Sequence, residues 1–291
     1  MIDRTIRRPA LRYYGGNWRL APWLLRHLTR HRCYCEPFAG GASVLLRKER
    51  AAAEVINDLD GDVVRLFRFM RDRPQELIRA IELTPCARAE FELARCRDTD
   101  DELELARRYY VRCWQAMHAG NRPNRTGWRH CRGTSRNTSA AHEFAQVEHL
   151  WQIADRLRGV QIEHDQAQRV IARYDSPETA FLVDPPYLRS VRSRRWGRDG
   201  YAHEMADSDH EGLLACLQAL VGMVLLQGYR SDLYDQALLP RGWQRWERPV
   251  ITFAGTKAME ALYTNPAAQE ALAAERGRLF ERADQPLEAA G

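Results

Sequence analysis

The stretch that decides the fold reads CYCEPFAGGASVLL and occupies residues 33–46. Its apolar start predicts a short strand, its glycines predict a tight loop, and the apolar residues from Val44 onward predict the start of a helix. A second strand, residues 53–56, ends at Asn57 and Asp58, and a helix with apolar residues at helical spacing follows it. Strands and helices that alternate in this way favour a parallel sheet covered by helices.

The same alternation continues along the rest of the chain. Residues 77–157 are predicted to be mainly helical apart from a polar loop near 119–140. Further strands are predicted at 160–162, 180–183, 224–226 and within 256–265, and a further helix at 209–222. The predicted fold class is therefore α/β with a doubly wound sheet, in which ligands bind beyond the carboxyl ends of the strands. Asp58 and Asp184 both follow strand ends, so we expect them at one rim of the sheet.

Composition excludes several classes of protein. The 291 residues carry a net charge of +5, with 44 basic and 39 acidic residues, which suits an anionic partner without proving one. Seven cysteines, an odd number at irregular spacing, argue against both a disulfide framework and a zinc site. No apolar run approaches the roughly 18 residues of a membrane span, and the first residues do not resemble a signal peptide. We therefore expect a soluble, cytoplasmic protein that binds neither a membrane nor a metal.

The strongest chemical signal is Asp184-Pro185-Pro186-Tyr187, directly after the apolar strand 180–183. Two prolines alone would merely end a strand. The complete tetrapeptide, however, offers a carboxylate and a rigid carbonyl that can both accept N–H groups of a ring-conjugated amine. Such acceptors favour a pyramidal nitrogen, whose lone pair can then attack an electrophile, and Tyr187 adds a ring on which a base can stack.

Three other segments are candidates for ligand binding, each with a structural alternative. Glycines in residues 36–43 allow the backbone to approach a ligand closely, although a simple tight turn needs them too. Asp58 can accept ribose hydroxyls or merely cap a turn, and Asp60 suits a helix cap. Residues 11–18 combine a basic residue, aromatic residues and Gly-Gly, which fits either a cofactor contact or an ordinary turn.

These four segments, in this order, resemble the DNA adenine methylase (Dam) family. Weaker matches follow at Tyr201 with 209–214, at 228–234 and at 260–266. The resemblance implies a Rossmann-like class I methyltransferase core formed by residues 1–84 and 150–291, with a mainly helical DNA-recognition domain inserted at 85–149. It also implies a site-specific DNA N6-adenine methyltransferase that moves a methyl group from S-adenosylmethionine to a flipped adenine.

The resemblance assigns site residues by position. Asp184, Pro185, Pro186 and Tyr187 would be catalytic. The cofactor would be bound by Tyr13, Asn17, Glu36, Phe38, Gly40, Asp58, Asp165 and Asp184, with Asp58 on its ribose and Asp165 facing its adenine. One position departs from the family, which usually has lysine where this chain has Asn17. A charge near the cofactor is thereby lost, although asparagine retains a hydrogen-bond donor.

Two arginine-rich runs without acidic residues, 107–136 and 189–198, predict contact with double-stranded DNA. The alternative for any single arginine is a solvated surface. The predicted DNA contacts are Arg12, Arg122, Arg125, Arg129, Arg132, Arg136, Arg189, Arg192 and Arg194. The helical spacing of Tyr109, Tyr110 and Trp114 instead favours a place in the core.

Two other functions fit the same residues. The tetrapeptide would serve methylation of cytosine N4 or of RNA equally well, although the order of the motifs favours adenine in DNA. A noncatalytic DNA-binding protein with a decayed methyltransferase core is also possible from the sequence. Asn17 favours that alternative, and the intact tetrapeptide argues against it.

Overall fold

The computed structural model describes residues 6–117, 127–130, 140–192, 201–251 and 257–283. The strands within these ranges are β1 (Cys33–Glu36), β2 (Ala53–Asn57), β3 (Gln161–Glu163), β4 (Thr179–Val183), β5 (Met223–Tyr229), β6 (Gln244–Ile251) and β7 (Lys257–Thr264). The helices are α1 (Ala21–Leu24), α2 (Gly61–Asp72), α3 (Pro74–Glu82), α4 (Arg88–Leu93), α5 (Glu102–Gln115), α6 (Ala140–Ala145), α7 (His149–Leu157), α8 (Ala167–Tyr174), α9 (Asp207–Gln218), α10 (Asp232–Leu238) and α11 (Pro266–Ala283).

The described strands form one sheet in the order β3-β2-β1-β4-β5-β7-β6. The strands from β3 to β5 in this order are parallel, and β7 runs antiparallel to both β5 and β6. The order reverses between β1 and β4, which are hydrogen-bonded neighbours although far apart in sequence. This is the topological switch point at which α/β sheets bind ligands, and the loops after both strands meet there.

Alternating side chains of the central strands build two buried layers. In β4, Ala180 and Leu182 belong to one apolar cluster, and Phe181 and Val183 belong to the other. The first cluster includes residues of α2, α3, α5 and α7, and the second includes residues of α8, α9 and α10. Both faces of the sheet are therefore covered, which confirms the predicted doubly wound α/β class. No helix in the described ranges is both long and apolar enough to cross a bilayer.

One predicted helix is wrong. Residues 43–47 form a series of turns rather than the helix that the apolar residues from Val44 onward indicated. The Leu45 N–H donates to the buried carboxylate of Glu36 at 2.6 Å, so the backbone amide is used by a side chain in place of a helical carbonyl. Sequence reasoning also missed β6, α8, α10 and α11.

The long helix α5 lies against the core. Tyr109, Tyr110 and Trp114 are 1%, 0% and 3% exposed and share a buried cluster with α2 and α3, which confirms their prediction as core residues. The helices α4, α5 and α6 all fall within residues 85–149. The division of the chain into a core and an inserted recognition domain at those boundaries stays a prediction.

Candidate active site

A cavity lies at the carboxyl edge of the sheet, over the switch point. Its lining includes all of the predicted cofactor residues: Tyr13, Asn17, Glu36, Phe38, Gly40, Asp58, Asp165 and Asp184. They come from the N-terminal segment and from the ends of β1, β2, β3 and β4, so the fold brings together residues that are up to about 170 positions apart. Within the predicted catalytic tetrapeptide, Asp184 and Pro186 line the cavity.

Asp184 lines this cavity and has one carboxylate oxygen without a described hydrogen-bond partner. Its Oδ2 accepts a hydrogen bond from Asn17 Nδ2 at 2.8 Å, whereas Oδ1 is shielded from solvent and has no partner among the described residues. Burial and the nearby charge of Glu260 raise the pKa of Asp184 well above its usual value, and the Asn17 bond opposes the rise. A buried acceptor left unpaired is costly, which is typical of a group that awaits a ligand donor.

A chain of buried polar groups extends behind Asp184. Gln227 Nε2 donates to Asn17 Oδ1 at 2.7 Å and to the Tyr187 hydroxyl at 3.0 Å, and that hydroxyl donates to Glu260 Oε2 at 3.0 Å. Burial raises the pKa of Glu260 to about 7. The Tyr187 ring stands edge-on to Tyr229, with 4.7 Å between centroids. Its stacking on a base stays a prediction.

The loop after β1 is shaped by a close contact between Gly40 and Tyr13. Gly40 has φ +47°, and a Cβ atom there would lie 2.7 Å from Tyr13 Cε1. Only glycine fits both the left-handed backbone and the aromatic ring. Beneath the loop, Glu36 is fully buried and accepts from the Tyr34 hydroxyl at 2.8 Å and from Leu45 N. Burial raises the pKa of Glu36 to about 7.

Asp58 connects the loops that follow β1 and β2. Its oxygens accept from Gly40 N at 2.8 Å and from Asp60 N at 2.9 Å. Burial raises the pKa of Asp58 to about 6, against the effect of these two bonds. Asp60 caps α2 by accepting from Asp62 N, which confirms the predicted helix cap.

Asn57 is a site-forming residue whose role was not predicted. Its Nδ2 donates to Pro37 O at 2.9 Å and to Asp165 O at 3.0 Å, and its Oδ1 accepts from Asp165 N. One side chain thus joins the loops after β1, β2 and β3. The signal available in the sequence was a polar residue that ends an apolar strand. The Asp165 carboxylate lies at the rim, 3.1 Å from Arg173.

The described arginines that were predicted to bind DNA differ in their surroundings. Arg12 donates to Ala116 O at 3.1 Å, and Arg129 forms an ion pair with Glu143 at 2.5 Å. Arg192 pairs with Glu204 at 2.8 Å and lies over the Tyr201 ring, whereas Arg189 is exposed. Arg122, Arg125, Arg132, Arg136 and Arg194 lie outside the described residues.

The start of the first arginine run was misread as a DNA-binding surface. Arg107 pairs with Glu104 and Glu90, Arg108 pairs with Glu104, and Arg112 pairs with buried Asp62. The run itself contains no acidic residue, but acidic residues outside the run form ion pairs with its arginines. These arginines hold α5 in place.

Three features together define a Rossmann-like methyltransferase. They are the order of the strands in the sheet, the cavity at the switch point, and the Asp-Pro-Pro-Tyr turn after β4. Comparison with known proteins gives the family. Residues 13–226 match the D12 class N6 adenine-specific DNA methyltransferases, and the chain belongs to that family.

The curated relatives are similar over a shorter stretch. The chain is 30% identical over 73 residues to the DNA adenine methylase of Escherichia coli K12, and 31% identical over 72 residues to that of Serratia marcescens. Each match covers 25% of this chain and 26% of the relative. A solved structure of a conserved hypothetical protein from Streptococcus pyogenes aligns over 87% of this chain and 97% of its own, at 10% identity and a TM-score of 0.34.

Proposed function

We propose that this protein transfers a methyl group from S-adenosylmethionine to the N6 amine of an adenine flipped out of double-stranded DNA. The observation that carries the proposal is Asp184, a cavity-lining residue whose buried Oδ1 has no partner among the described residues. Family membership supports the same reaction. Because its substrate is DNA, we place the protein in the cytoplasm of a bacterial or phage-infected cell.

The reaction requires an unreactive nitrogen to be aimed. The lone pair of adenine N6 is delocalised into the ring, and two acceptors for its N–H groups favour a pyramidal nitrogen. In this proposal Asp184 Oδ1 is one acceptor and the Pro185 carbonyl the other, while Pro186 and Tyr187 hold the base. The nitrogen lone pair would form the new N–C bond as the sulfonium leaves as a neutral thioether, and the methylated amine would pass its surplus proton to the Asp184 carboxylate. Positioning and electrostatics suffice, without a covalent enzyme intermediate.

The residues around the cavity fit the cofactor. S-adenosylmethionine supplies an electrophilic methyl group when it is bound. The Gly40 cradle keeps the space beside the Tyr13 ring free of a side chain. Each Asp58 oxygen accepts one backbone N–H and so retains a lone pair for a ribose hydroxyl. We propose that Phe38 and Asp165 flank the adenine of the cofactor, since both line the same cavity.

DNA contact is proposed for residues 85–149 and for the predicted arginines. Arg189 and Arg192 follow the catalytic tetrapeptide closely, which suits contact with the backbone around an extruded base. Arg12 and Arg129 lie beside the end of α5, where Arg12 donates to Ala116 O and the Arg129 N–H donates to Gln115 O. We propose that these positions hold the duplex, while the cavity receives the adenine.

The substitution Asp184→Ala tests the proposal. It should lower the rate of methyl transfer at least about 1000-fold, because one acceptor for the amine is lost. DNA affinity, measured by fluorescence anisotropy, should stay within about threefold, because phosphate contacts supply most of it. Asp155→Ala is the matched control, since that side chain is 56% exposed on α7. Retained turnover in Asp184→Ala would contradict the role of Asp184.

A further inference from the structure

Gln227 is a polar side chain in an unexpected place. It lies in β5, surrounded in sequence by apolar residues, and is 0% exposed. A buried side-chain amide costs free energy unless its hydrogen bonds compensate, so its partners indicate why it is there. The Gln227 NH2 group donates to Asn17 and Tyr187, which belong to the candidate active site, and a side-chain hydrogen bond also joins Gln227 to Glu260. Its Oε1 is buried without a partner among the described residues.

The first contact fixes the direction of the Asn17 amide. A side-chain amide has a donor end and an acceptor end. Because Asn17 Oδ1 accepts from Gln227 at 2.7 Å, the Asn17 NH2 group faces Asp184 and donates to Oδ2 at 2.8 Å. Reversal of the Asn17 amide would place its oxygen against the carboxylate. Gln227 thus fixes a donor toward Asp184 Oδ2, while Oδ1 has no partner among the described residues.

The second contact holds the other end of the catalytic tetrapeptide. The Tyr187 hydroxyl accepts from Gln227 at 3.0 Å and therefore directs its own proton to Glu260. One NH2 group consequently orients both Asp184, through Asn17, and Tyr187, directly. Gln227 and Glu260 lie in β5 and β7, Asp184 and Tyr187 directly follow β4, and Asn17 comes from the N-terminal segment, so the sheet fixes the two groups from which this arrangement is built.

We propose that Gln227 is a positioning residue for methyl transfer, which sets the hydrogen-bond polarity of Asn17 and Tyr187 and thereby aims Asp184. This inference rests on the proposed function. It predicts that Gln227 affects the chemical step more than the binding of either substrate, because Gln227 sets the orientation of Asn17 and Tyr187 and a change at Gln227 leaves both side chains in place.

The direct test is Gln227→Glu, which keeps the size of the side chain and replaces its donor with an acceptor. We expect kcat to fall about 100-fold, while KM for the cofactor and for DNA changes less than about threefold. Gln244→Glu makes the same chemical change at an exposed position of β6 and should leave kcat unchanged. Wild-type kcat in Gln227→Glu would overturn the inference.

A rescue variant separates polarity from misfolding. In the double variant Asn17→Lys with Gln227→Glu, the ammonium group can donate to both facing carboxylates. It should recover at least about 10-fold of the lost kcat, since kcat depends here on a correctly placed donor. No recovery would overturn the polarity argument. If Gln227→Glu does not fold, as judged by thermal unfolding, Gln227→Met removes the donor without adding charge, and unchanged kcat there would also overturn the inference.

Failure of the inference is distinguishable from failure of the proposed function. Wild-type protein that transfers no methyl group to adenine contradicts the function. Wild-type transfer that Gln227→Glu leaves intact contradicts only the positioning role.

Discussion

Asn17 shows how one residue changes the electrostatics of the site. The family usually carries lysine at this position, and here a neutral amide reaches Asp184 at 2.8 Å instead. Without a cation at that position, burial and the charges of Glu260 and Glu36 keep the pKa of Asp184 well above its usual value. Asp184 accepts N–H groups best as a carboxylate, so we expect methyl transfer to depend on the protonation of Asp184.

The variant Asn17→Lys should shift the pH dependence of kcat. Wild-type kcat should rise with pH as Asp184 loses its proton, and a lysine ammonium should lower the pKa of Asp184 by favouring the charged form. We therefore expect the acidic limb of the kcat profile to move down by about one to two pH units. The neutral variant Asn17→Gln serves as the control. An unmoved limb in Asn17→Lys would show that Asp184 does not control this limb.

Glu36 should make stability depend on pH. Its pKa in the folded protein is about 7, above the ordinary value of 4.5, so the folded state binds this proton more tightly. The associated stability is fully present below pH 4.5 and is lost as the pH rises to about 7, with a size of about 3 kcal/mol.

Urea unfolding at a series of pH values measures this contribution. The side chain in Glu36→Gln stays neutral at every pH. The free energy of unfolding of this variant should therefore decline less steeply between pH 4.5 and 7 than that of the wild type. Glu178→Gln, with a 65% exposed side chain, is the control and should follow the wild type. Identical slopes for Glu36→Gln and the wild type would contradict the raised pKa of Glu36.

At the scale of elements, we expect the loop after β1 to bind the cofactor only while the Tyr13 ring packs against Gly40 of that loop. Gly40→Ala adds backbone strain and a contact of 2.7 Å with the Tyr13 ring. Gly159→Ala has a similar positive φ, +80°, with nothing within 4 Å of the added Cβ. Both should lose about 1 kcal/mol of stability or more. Titration calorimetry should show that the cofactor binds at least about 10-fold more weakly to Gly40→Ala, and with unchanged affinity to Gly159→Ala. Equal affinities of the two variants for the cofactor would disprove the role of the loop in cofactor binding.

The elements also show what a sequence can reveal. The strand β4 was predictable because it is a continuous apolar run that stops at Asp184. The strand β6 was not, because Arg245, Glu247 and Pro249 interrupt its half-exposed alternation. The turns after Ser43 depend on the buried Glu36 carboxylate, which local propensity does not include.

Most residues of the candidate site followed from motif order, because strand ends of a parallel sheet converge. Gln227 could be flagged only as a polar residue within an apolar strand. Its partners Asn17 and Tyr187 lie 210 and 40 positions away in the sequence, so only the three-dimensional structure identifies them.

At the scale of the whole molecule, the arginines divide into structural and exposed sets. Arg112 pairs with Asp62 at 3.0 Å and both side chains are below 10% exposed, whereas Arg189 is exposed. Arg189→Ala should reduce the slope of log affinity for DNA against log salt by about 1. Arg112→Met should leave that slope unchanged and lose about 3 kcal/mol of stability. An unchanged salt slope in Arg189→Ala, or a reduced slope in Arg112→Met, would contradict this division.

The central claim is that Asp184 and its neighbours aim the N6 amine of adenine at a methyl donor. The most direct test incubates purified protein with double-stranded DNA and labelled S-adenosylmethionine, and then separates the nucleosides of the digested product. The label should appear in N6-methyladenine and disappear when Asp184→Ala replaces the wild type. Label found only in N4-methylcytosine, or wild-type protein that binds DNA and never labels it, would contradict the claim.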